Sequence, residues 1–230
     1  MTDWYSIWSR NREYLSEQMD LQYLIEANGF NSGAGKIHVE DWKNYVHYIY
    51  KLADLHPEDS VFEVGCGGGA FLYPLYQKGL QVGGIDYSPS LIKLAQYSMP
   101  DMPFEAKNAD QMDVLPKYDA VIANSVFQYF PSLEYMTEII YRMYEKANKT
   151  IVLMDLNDLA FREEALEIRR GSLSPGEYDR KYKGLDHLFI DRSAIQSIFE
   201  DLPVTVEVSD QNIHNYGNNK FRFNVVIKKW

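Results

Sequence analysis

The sequence predicts an α/β protein built on a doubly wound, mostly parallel sheet, and two observations carry this prediction. From residue 60 onward, short apolar runs rich in β-favouring residues alternate regularly with helical stretches. The first run ends in the glycine-rich turn "VFEVGCGGGA", residues 61–70, at the point where a strand would pass into a helix. The 230 residues, of which 46% are hydrophobic, suit one compact domain with a sizeable core.

The alternating segment predicts each element in order. Its strands are expected at 60–64, 80–86, 103–106, 118–124 and 150–155, and its helices at 70–78, 89–98 and 132–147. Ser88 before Pro89, and Ser132 before an apolar helical face, are N-cap signals that begin two of these helices. The C-terminal stretch "VTVEVSDQNIHNYGNNKFRFNVVIKKW" predicts a closing hairpin, with strands 203–211 and 220–229, so that the last strand is antiparallel.

The segments outside this alternation predict two additions to the core. Apolar residues between positions 3 and 28 fall mostly on one helical face, and a break at 29–36 precedes a second helix, "DWKNYVHYIYKLADL". We therefore expect an N-terminal helical cover at 1–56 and a core at 57–230. Within the core, residues 156–190 form a predicted cap insertion, where Ser174 and Glu177 make a capping box that opens a short helix.

Composition limits the partners that we expect. The formal net charge of −10 argues against a nucleic-acid partner, which would require clustered Lys and Arg, and favours a cationic ligand. The one cysteine, Cys66, cannot support an internal disulfide framework. The N-terminal residues do not resemble a signal peptide, and no apolar run reaches the roughly 18 residues of a membrane helix. We expect a cytoplasmic monomer or homodimer with no membrane partner.

The glycine turn fits two kinds of ligand. Residues 65–70 satisfy the dinucleotide pattern G-x-G-x-x-G/A, and Asp86 lies about 20 residues downstream, where a ribose-binding acid is expected. The same turn also reads as Glu63-x-Gly65-x-Gly67-x-Gly69. A carboxylate inside a strand is costly unless it is paired, so Glu63 should lie near a cationic group or cap loop N–H groups. A pyrophosphate would be repelled there.

This second pattern resembles the class I S-adenosylmethionine-dependent methyltransferases, and the resemblance covers roughly residues 57–155. "GGIDYSPSLIKLAQ" (83–96), "KNADQM" (107–112) and "YDAVIANSVFQYF" (118–130) are similar to the family's later strands and turns. The resemblance implies a Rossmann-like fold, S-adenosylmethionine as cofactor, and methyl transfer to a nitrogen or oxygen of a small-molecule acceptor. An NAD-dependent oxidoreductase, a catalytically silent binding module, and a protein or RNA methyltransferase remain alternatives.

The resemblance also implies which residues bind the cofactor. Asp86 would accept hydrogen bonds from both ribose hydroxyls, and either Asn108 or Asp110 would meet the adenine amine. Asn124 and Ser125 would pass along the cofactor at the end of the fourth strand. The predicted cofactor-binding residues are Glu63, Gly65, Cys66, Gly67, Gly69, Asp86, Tyr87, Asn108, Ala109, Asp110, Asn124 and Ser125.

The acceptor side rests on a smaller set of residues. His187, just after the inserted segment, and His214, in the hairpin loop, are the predicted catalytic residues, each as a base or an acceptor ligand. Because the hairpin loop should lie at the same sheet edge as Asp86, we expect both histidines and Tyr216 to bound the acceptor pocket. Tyrosines in cap-like segments suit a compact aromatic or cationic acceptor. The predicted substrate-binding residues are Tyr5, Phe127, Gln128, Tyr129, Tyr182 and Tyr216.

Overall fold

A seven-stranded mixed sheet forms the centre of the molecule, in a computed structural model that describes residues 3–9, 20–30 and 36–230. Its strands are β1 (Ser60–Val64), β2 (Gln81–Asp86), β3 (Phe104–Ala106), β4 (Tyr118–Asn124), β5 (Ala147–Asn157), β6 (Val204–Asp210) and β7 (Arg222–Lys229). The strand order is β3-β2-β1-β4-β5-β7-β6. The first five strands pair in parallel, whereas β7 runs antiparallel to both β5 and β6. The predicted fold class is therefore confirmed.

Helices cover both faces of this sheet. They are α1 (Trp4–Trp8), α2 (Leu21–Ala27), α3 (Val39–Leu52), α4 (Leu72–Gln77), α5 (Pro89–Ser98), α6 (Leu133–Lys146), α7 (Arg162–Arg170), α8 (Pro175–Tyr182) and α9 (Arg192–Ile198). One hydrophobic cluster joins α2, α3, α4 and α5 to one face, and a second joins α6 and α9 to the other. Because the central strands are buried on both faces, they read as nearly continuous apolar runs.

The local signals at the helix starts agree with the structure. Ser88 Oγ accepts a hydrogen bond from the Leu91 N–H at 3.4 Å, directly before Pro89. Ser132 Oγ accepts from the Tyr135 N–H at 3.2 Å. At the start of α8, the Glu177 carboxylate accepts from both the N–H and the hydroxyl of Ser174, at 2.9 Å and 2.6 Å. Short-range capping chemistry therefore sets these boundaries.

The N-terminal cover differs from the single helix expected over 3–28. Helix α1 ends at Trp8, and α2 begins only at Leu21. Asp20 has extended backbone, and its carboxylate caps α2 by accepting a hydrogen bond from the Tyr23 N–H at 2.9 Å. A helical face predicts amphipathic character but not continuity, and Asp20 is the local start signal that corrects the prediction. The intervening residues 10–19, and residues 31–35 of the expected break, lie outside the described residues.

The C-terminal edge of the parallel strands gathers the long connections. Strand β5 continues to Asn157, beyond the predicted end at 155, and is followed by α7 and α8. The β6–β7 connection reaches the same edge, where the Gln211 amide lies 3.3 Å from Asp155 Oδ1. This placement agrees with the predicted course of the hairpin. Within the described ranges, no helix is long and apolar enough to cross a membrane.

Candidate functional site

The glycine turn lies between β1 and α4 and is tied to the neighbouring strand. The N–H groups of Gly65 and Cys66 both donate to Ile85 O, at 2.8 Å and 3.0 Å. Gly65, Gly67 and Gly69 have φ of +72°, +55° and +85°, which a residue with a Cβ rarely adopts. The sequence requires glycine here because the backbone reverses sharply at the carboxyl end of a buried strand.

Asp86 ends β2 directly beside this turn. Its Oδ2 accepts a hydrogen bond from the Gly67 N–H at 2.9 Å, and its Oδ1 accepts from the Ser88 N–H at 2.8 Å. These contacts hold the carboxylate at the sheet edge. A carboxylate can accept several hydrogen bonds, so these two contacts are compatible with binding of a vicinal diol. This agrees with the predicted ribose contact.

Asn28, directly after α2, binds the backbone of the glycine turn through its side-chain amide, a contact that sequence reasoning missed. Its Oδ1 accepts from the Gly68 N–H at 2.8 Å, and its Nδ2 donates to Cys66 O at 3.2 Å. A Cβ on Gly67 would lie 2.7 Å from Asn28 Nδ2, so the protein itself fills the space beside that glycine. No spacing or motif links Asn28 to the turn, because the contact spans about 40 residues of sequence.

Glu63 is the one buried carboxylate of β1. It is 2% exposed, and among the described residues its Oε2 has no hydrogen-bond partner. Burial raises the pKa of the Glu63 carboxyl well above its usual range, and the negative charge of Asp86 raises it further. An ammonium group placed nearby would pair with this carboxylate. The arrangement therefore fits the cationic amino end of a ligand, as the sequence predicts.

Cys66 contributes its backbone to the turn. Its side chain is fully buried, and Sγ lies 3.7 Å from Gly67 O. Burial raises the pKa of the Cys66 thiol well above its usual range, so the reactive thiolate is disfavoured. Gly69 likewise shapes the turn, since a Cβ there would lie 2.4 Å from Met99 Cε.

Three adjoining cavities that share wall residues lie along the C-terminal edge from β3 to β7, and together we call them the cleft. Its first part, a cavity of about 310 Å³, is lined by Asp86, Tyr87, Asn108, Ala109, Asp110 and Tyr135, among others. The middle part is bounded by the glycine turn, Asp86, Asn124, Ser125 and Tyr129. We name the third part, of about 190 Å³, the distal pocket; its lining includes Trp8, Gln128, Tyr129, His187, Tyr216 and Arg222. Tyr129 lines all three parts.

Asn124 and Ser125 end β4 at the middle of this cleft. The Tyr45 hydroxyl donates to Asn124 Oδ1 at 3.1 Å, which fixes the amide of a 7% exposed residue. Ser125 has φ of +57°, and its N–H donates to Met154 O. Gln128 Nε2 donates to both the carbonyl and the hydroxyl of Ser125, at 2.9 Å and 2.8 Å. This turn therefore links the middle of the cleft to the distal pocket.

His187 lies in the distal pocket, packed among aromatic rings. It stacks on Trp4 with ring centroids 4.9 Å apart, and Tyr129 meets it edge-on at 5.6 Å. Burial, together with the nearby charges of Arg169 and Arg222, lowers the pKa of His187 to about 3. A neutral imidazole with so low a pKa holds a proton weakly, so His187 is better suited to a hydrogen-bonding role than to that of a general base.

Asp155 and Arg222 form a polar cluster beside the distal pocket, and sequence reasoning missed both. Asp155 is fully buried in β5 with φ of +59°, and it accepts a hydrogen bond from the Tyr216 hydroxyl at 3.0 Å. Arg222 Nε lies 3.9 Å from Asp155 Oδ1, and Nη1 donates to Asn157. Asp155 could have been found from the sequence, because it is an acid within the apolar run "TIVLMDLN". A carboxylate inside a strand is costly unless it is paired, which is the reason that selects Glu63.

The comparisons with known proteins agree with this geometry. Residues 62–150 match a family model described as "Methyltransferase domain". This stretch, which runs from β1 to the start of β5, is therefore similar to methyltransferase domains. The resemblance to class I methyltransferases is thereby confirmed, together with S-adenosylmethionine as the cofactor of the family and methyl transfer as its enzyme class. The oxidoreductase alternative finds no support in these matches.

The curated relatives of this chain are far longer proteins. The chain is 30% identical over 158 residues to Peramine synthetase ppzA of Metarhizium rileyi, which is 62% of this chain and 5% of that protein. It is also 30% identical over 114 residues to Nonribosomal peptide synthetase dtxS1 of Metarhizium robertsii, which is 45% of this chain and 1% of that protein. The chain therefore matches a small segment of each synthetase.

Solved structures share the fold of this chain at low identity. Magnesium protoporphyrin IX methyltransferase ChlM of Synechocystis PCC 6803, with bound SAH, superposes with a TM-score of 0.63 and 20% identity, covering 92% of this chain and 100% of that one. N-methyltransferase NodS of Bradyrhizobium japonicum WM9 gives 0.58 and 16%, covering 82% and 96%. These neighbours support the assigned fold.

Two side chains that the sequence predicts as acceptor contacts, His214 and Phe127, lie away from the distal pocket. The His214 side chain is 79% exposed, and its Nδ1 lies 2.7 Å from Asp41 Oδ1, in an open depression on the far side of Tyr216. Phe127 is fully buried and contacts the Phe130 ring, so it packs in the core instead of turning toward a substrate. In each case the residue lies near the predicted edge, but its side-chain direction depends on tertiary packing.

Two predicted tyrosines also lie outside the walls of the cleft described above. Tyr5 is 56% exposed and packs against the Tyr87 ring, with centroids 5.6 Å apart. Tyr182 lies on α8, where its ring covers the Arg169 guanidinium at 4.3 Å. Gln128, Tyr129 and Tyr216 do line the distal pocket. Their contact with a substrate stays a prediction.

Proposed function

We propose that this chain binds S-adenosylmethionine along its cleft and transfers the methyl group to a nitrogen or oxygen of a small molecule. The observation that supports this most is the alignment of Glu63, the glycine turn and Asp86 at one sheet edge. This alignment continues directly into the distal pocket through Ser125 and Tyr129. The 190 Å³ volume of that pocket suits a small acceptor or a small part of a larger one.

The residues that line the cleft, together with Glu63 buried behind the glycine turn, supply binding groups of matching chemistry. Asp86 would accept from the ribose hydroxyls, the Asn108–Asp110 segment would bound the adenine, and Glu63 would pair with the amino group. Bound there, the cofactor supplies an electrophilic methyl group on a sulfonium. The protein then contributes alignment and exclusion of water, for which the aromatic walls Trp8 and Tyr129 are suited.

Proton removal from an amine acceptor needs no strong base in this site. An amine can lose its proton to solvent, whereas the pKa of His187, at about 3, leaves that residue a weak base. His187 is therefore proposed as a neutral hydrogen-bonding partner of the acceptor. The Tyr216 hydroxyl donates a hydrogen bond to Asp155, and this contact fixes the orientation of the Tyr216 ring in the wall of the distal pocket.

A second candidate is methylation of an amino acid attached to a peptide synthetase. The match of this chain to a short segment of two peptide synthetases favours it. In that case the acceptor would carry a thioester where a free amino acid has a carboxylate. The two candidates therefore differ in the charge that the distal pocket must accommodate.

Transfer of an isotope-labelled methyl group tests the proposal. Purified protein is incubated with methyl-labelled S-adenosylmethionine and a panel of small amines, phenols and hydroxy acids. We expect a labelled product with the wild-type chain and with Asp201→Ala, an exposed control, but far less with Asp86→Ala. S-adenosylhomocysteine binding without any labelled product, in the panel or with aminoacyl thioesters, would support the silent-module alternative.

A further inference from the structure

The distal pocket is lined by buried polar atoms that have no hydrogen-bond partner among the described residues. Among the described residues, Trp8 Nε1, Arg222 Nε and Gln128 Oε1 are buried atoms without a hydrogen-bond partner, and all three side chains line this pocket. Buried polar atoms are usually paired, and leaving one unpaired destabilises the folded protein. Two unmet donors and one unmet acceptor in one small cavity therefore indicate a polar ligand.

The charge around the pocket indicates the sign of that ligand. Arg222 is 9% exposed and lines the wall, while Arg169 donates to Leu185 O at 2.9 Å and places its guanidinium 5.8 Å from the Trp4 ring centroid. Both arginines lower the pKa of His187, and the neighbouring carboxylate of Asp155, whose Oδ1 lies 3.9 Å from Arg222 Nε, offsets only one of the two positive charges. The remaining local charge is opposite in sign to the chain's net charge of −10.

The acid beside the pocket already has partners of its own. Asp155 accepts from the Tyr216 hydroxyl and lies within hydrogen-bond distance of the Gln211 amide. Its carboxylate is therefore committed to the polar cluster and is poorly placed to bind a cationic substrate. Arg222 Nε, in contrast, has no hydrogen-bond acceptor within the described part of the chain, because Asp155 Oδ1 lies 3.9 Å away.

We infer that the distal pocket recognises a methyl acceptor that carries a carboxylate together with a nearby N–H or O–H donor. The carboxylate would accept from the Trp8 indole N–H and the Arg222 guanidinium, while the acceptor's donor group would meet Gln128 Oε1. A free amino or hydroxy acid has this combination, and a carboxamide or thioester lacks the charge. The inference rests on the proposed function, because it concerns the acceptor of that reaction.

The test compares acids with their own primary amides. Protein saturated with S-adenosylhomocysteine is titrated calorimetrically with alanine and alaninamide, phenylalanine and phenylalaninamide, and salicylate and salicylamide. We expect at least one acid to bind, at least about tenfold tighter than its amide, since a hydrogen bond to a charged group contributes more than a neutral one.

Variants separate the pocket from the rest of the molecule. Trp8→Phe retains the ring but removes the unmet N–H, so the acid-over-amide preference should fall by about tenfold. Trp230→Phe, the same exchange at an 84% exposed residue, should leave the preference unchanged. Arg222→Lys should also weaken the preference, and Trp8→Phe decides the matter if the lysine variant does not fold.

The contrary results are distinct from a failure of the proposed function. Equal or tighter binding of the amides, binding of neither member of any pair, or an unchanged preference in Trp8→Phe would each overturn the inference. S-adenosylhomocysteine binding and methyl transfer would still stand in those cases. A protein that binds no S-adenosylhomocysteine would overturn the proposed function, and this inference with it.

Discussion

At the scale of single residues, two carboxylates define the cofactor side of the cleft in different ways. Asp86 is held by backbone N–H groups of Gly67 and Ser88, whereas Glu63 is buried with one oxygen that has no partner among the described residues. The first is therefore positioned before any ligand arrives. The second becomes paired only when a cation binds.

Replacement of Asp86 by alanine should weaken binding of S-adenosylhomocysteine by about 1.5–3 kcal/mol, as expected for hydrogen bonds to a charged group. Calorimetric titration at a temperature where the variant is folded measures this. The variant should also unfold more easily, because the N–H groups of Gly67 and Ser88 lose their acceptor. Asp201→Ala serves as the exposed control, and unchanged affinity in Asp86→Ala would remove Asp86 from the site.

Glu63 should make cofactor binding depend on pH. Burial raises its pKa in the free protein, and an ammonium partner would lower that pKa in the complex, so binding releases a proton. Affinity for S-adenosylhomocysteine should therefore rise as pH increases toward the raised pKa of Glu63. Titrations across pH should show this slope in the wild type and a flatter one in Glu63→Gln. Identical slopes in both proteins would contradict the pairing.

The residue scale also shows where sequence reasoning ends. Asp86 is predicted because the end of a strand has a direct physical meaning at a parallel sheet edge, and Glu63 because a carboxylate inside a strand is costly unless it is paired. Phe127 and His214 lie near the expected edge, yet the first packs inward and the second pairs with Asp41. Side-chain direction in turns depends on neighbours far away in sequence, and no local pattern reports it.

At the scale of elements, α2 and the glycine turn act together although about 40 residues separate them. The strands of the core were predicted within a few residues because alternation and N-caps are local signals. The division of the cover into α1 and α2, and the role of Asn28, depend on tertiary contacts. Local patterns therefore predict the strands better than they predict how the N-terminal helices pack against the glycine turn.

Asn28→Ala should loosen the glycine turn without disturbing the sheet. Loss of the hydrogen bonds to the Gly68 N–H and Cys66 O should reduce the free energy of unfolding by about 1–2 kcal/mol. Affinity for S-adenosylhomocysteine should also fall. Denaturant unfolding and calorimetry measure the two effects, with Asn148→Ala, an exposed position on β5, as control. A variant that behaves like Asn148→Ala would show that α2 does not support the turn.

At the scale of the whole molecule, the cleft draws on both the N-terminal helices and the sheet. Trp8 and Asn28 come from the cover, Tyr129 and His187 come from connections along the C-terminal edge, and Arg222 begins β7. A ligand bound across these segments stabilises the native state by mass action, provided that the unfolded chain does not bind it.

S-adenosylhomocysteine should therefore raise the melting temperature of the whole domain. At about 100 times its dissociation constant, the stabilisation is about 2.7 kcal/mol, which corresponds to about 5–10 °C for a protein of this size. Thermal unfolding followed by circular dichroism measures the shift. NAD at the same concentration should give none, and an equal shift with NAD would restore the dinucleotide interpretation of the glycine turn.

The central claim is that the cleft holds the cofactor and presents its methyl group to the distal pocket. A crystal structure of the complex with S-adenosylhomocysteine tests this most directly. We predict the ribose on Asp86, the amino group at Glu63, the adenine beside Asn108–Asp110, and the sulfur facing Tyr129 and the distal pocket. A sulfur atom that faces away from the distal pocket, or a ligand bound outside the glycine turn, would contradict the account.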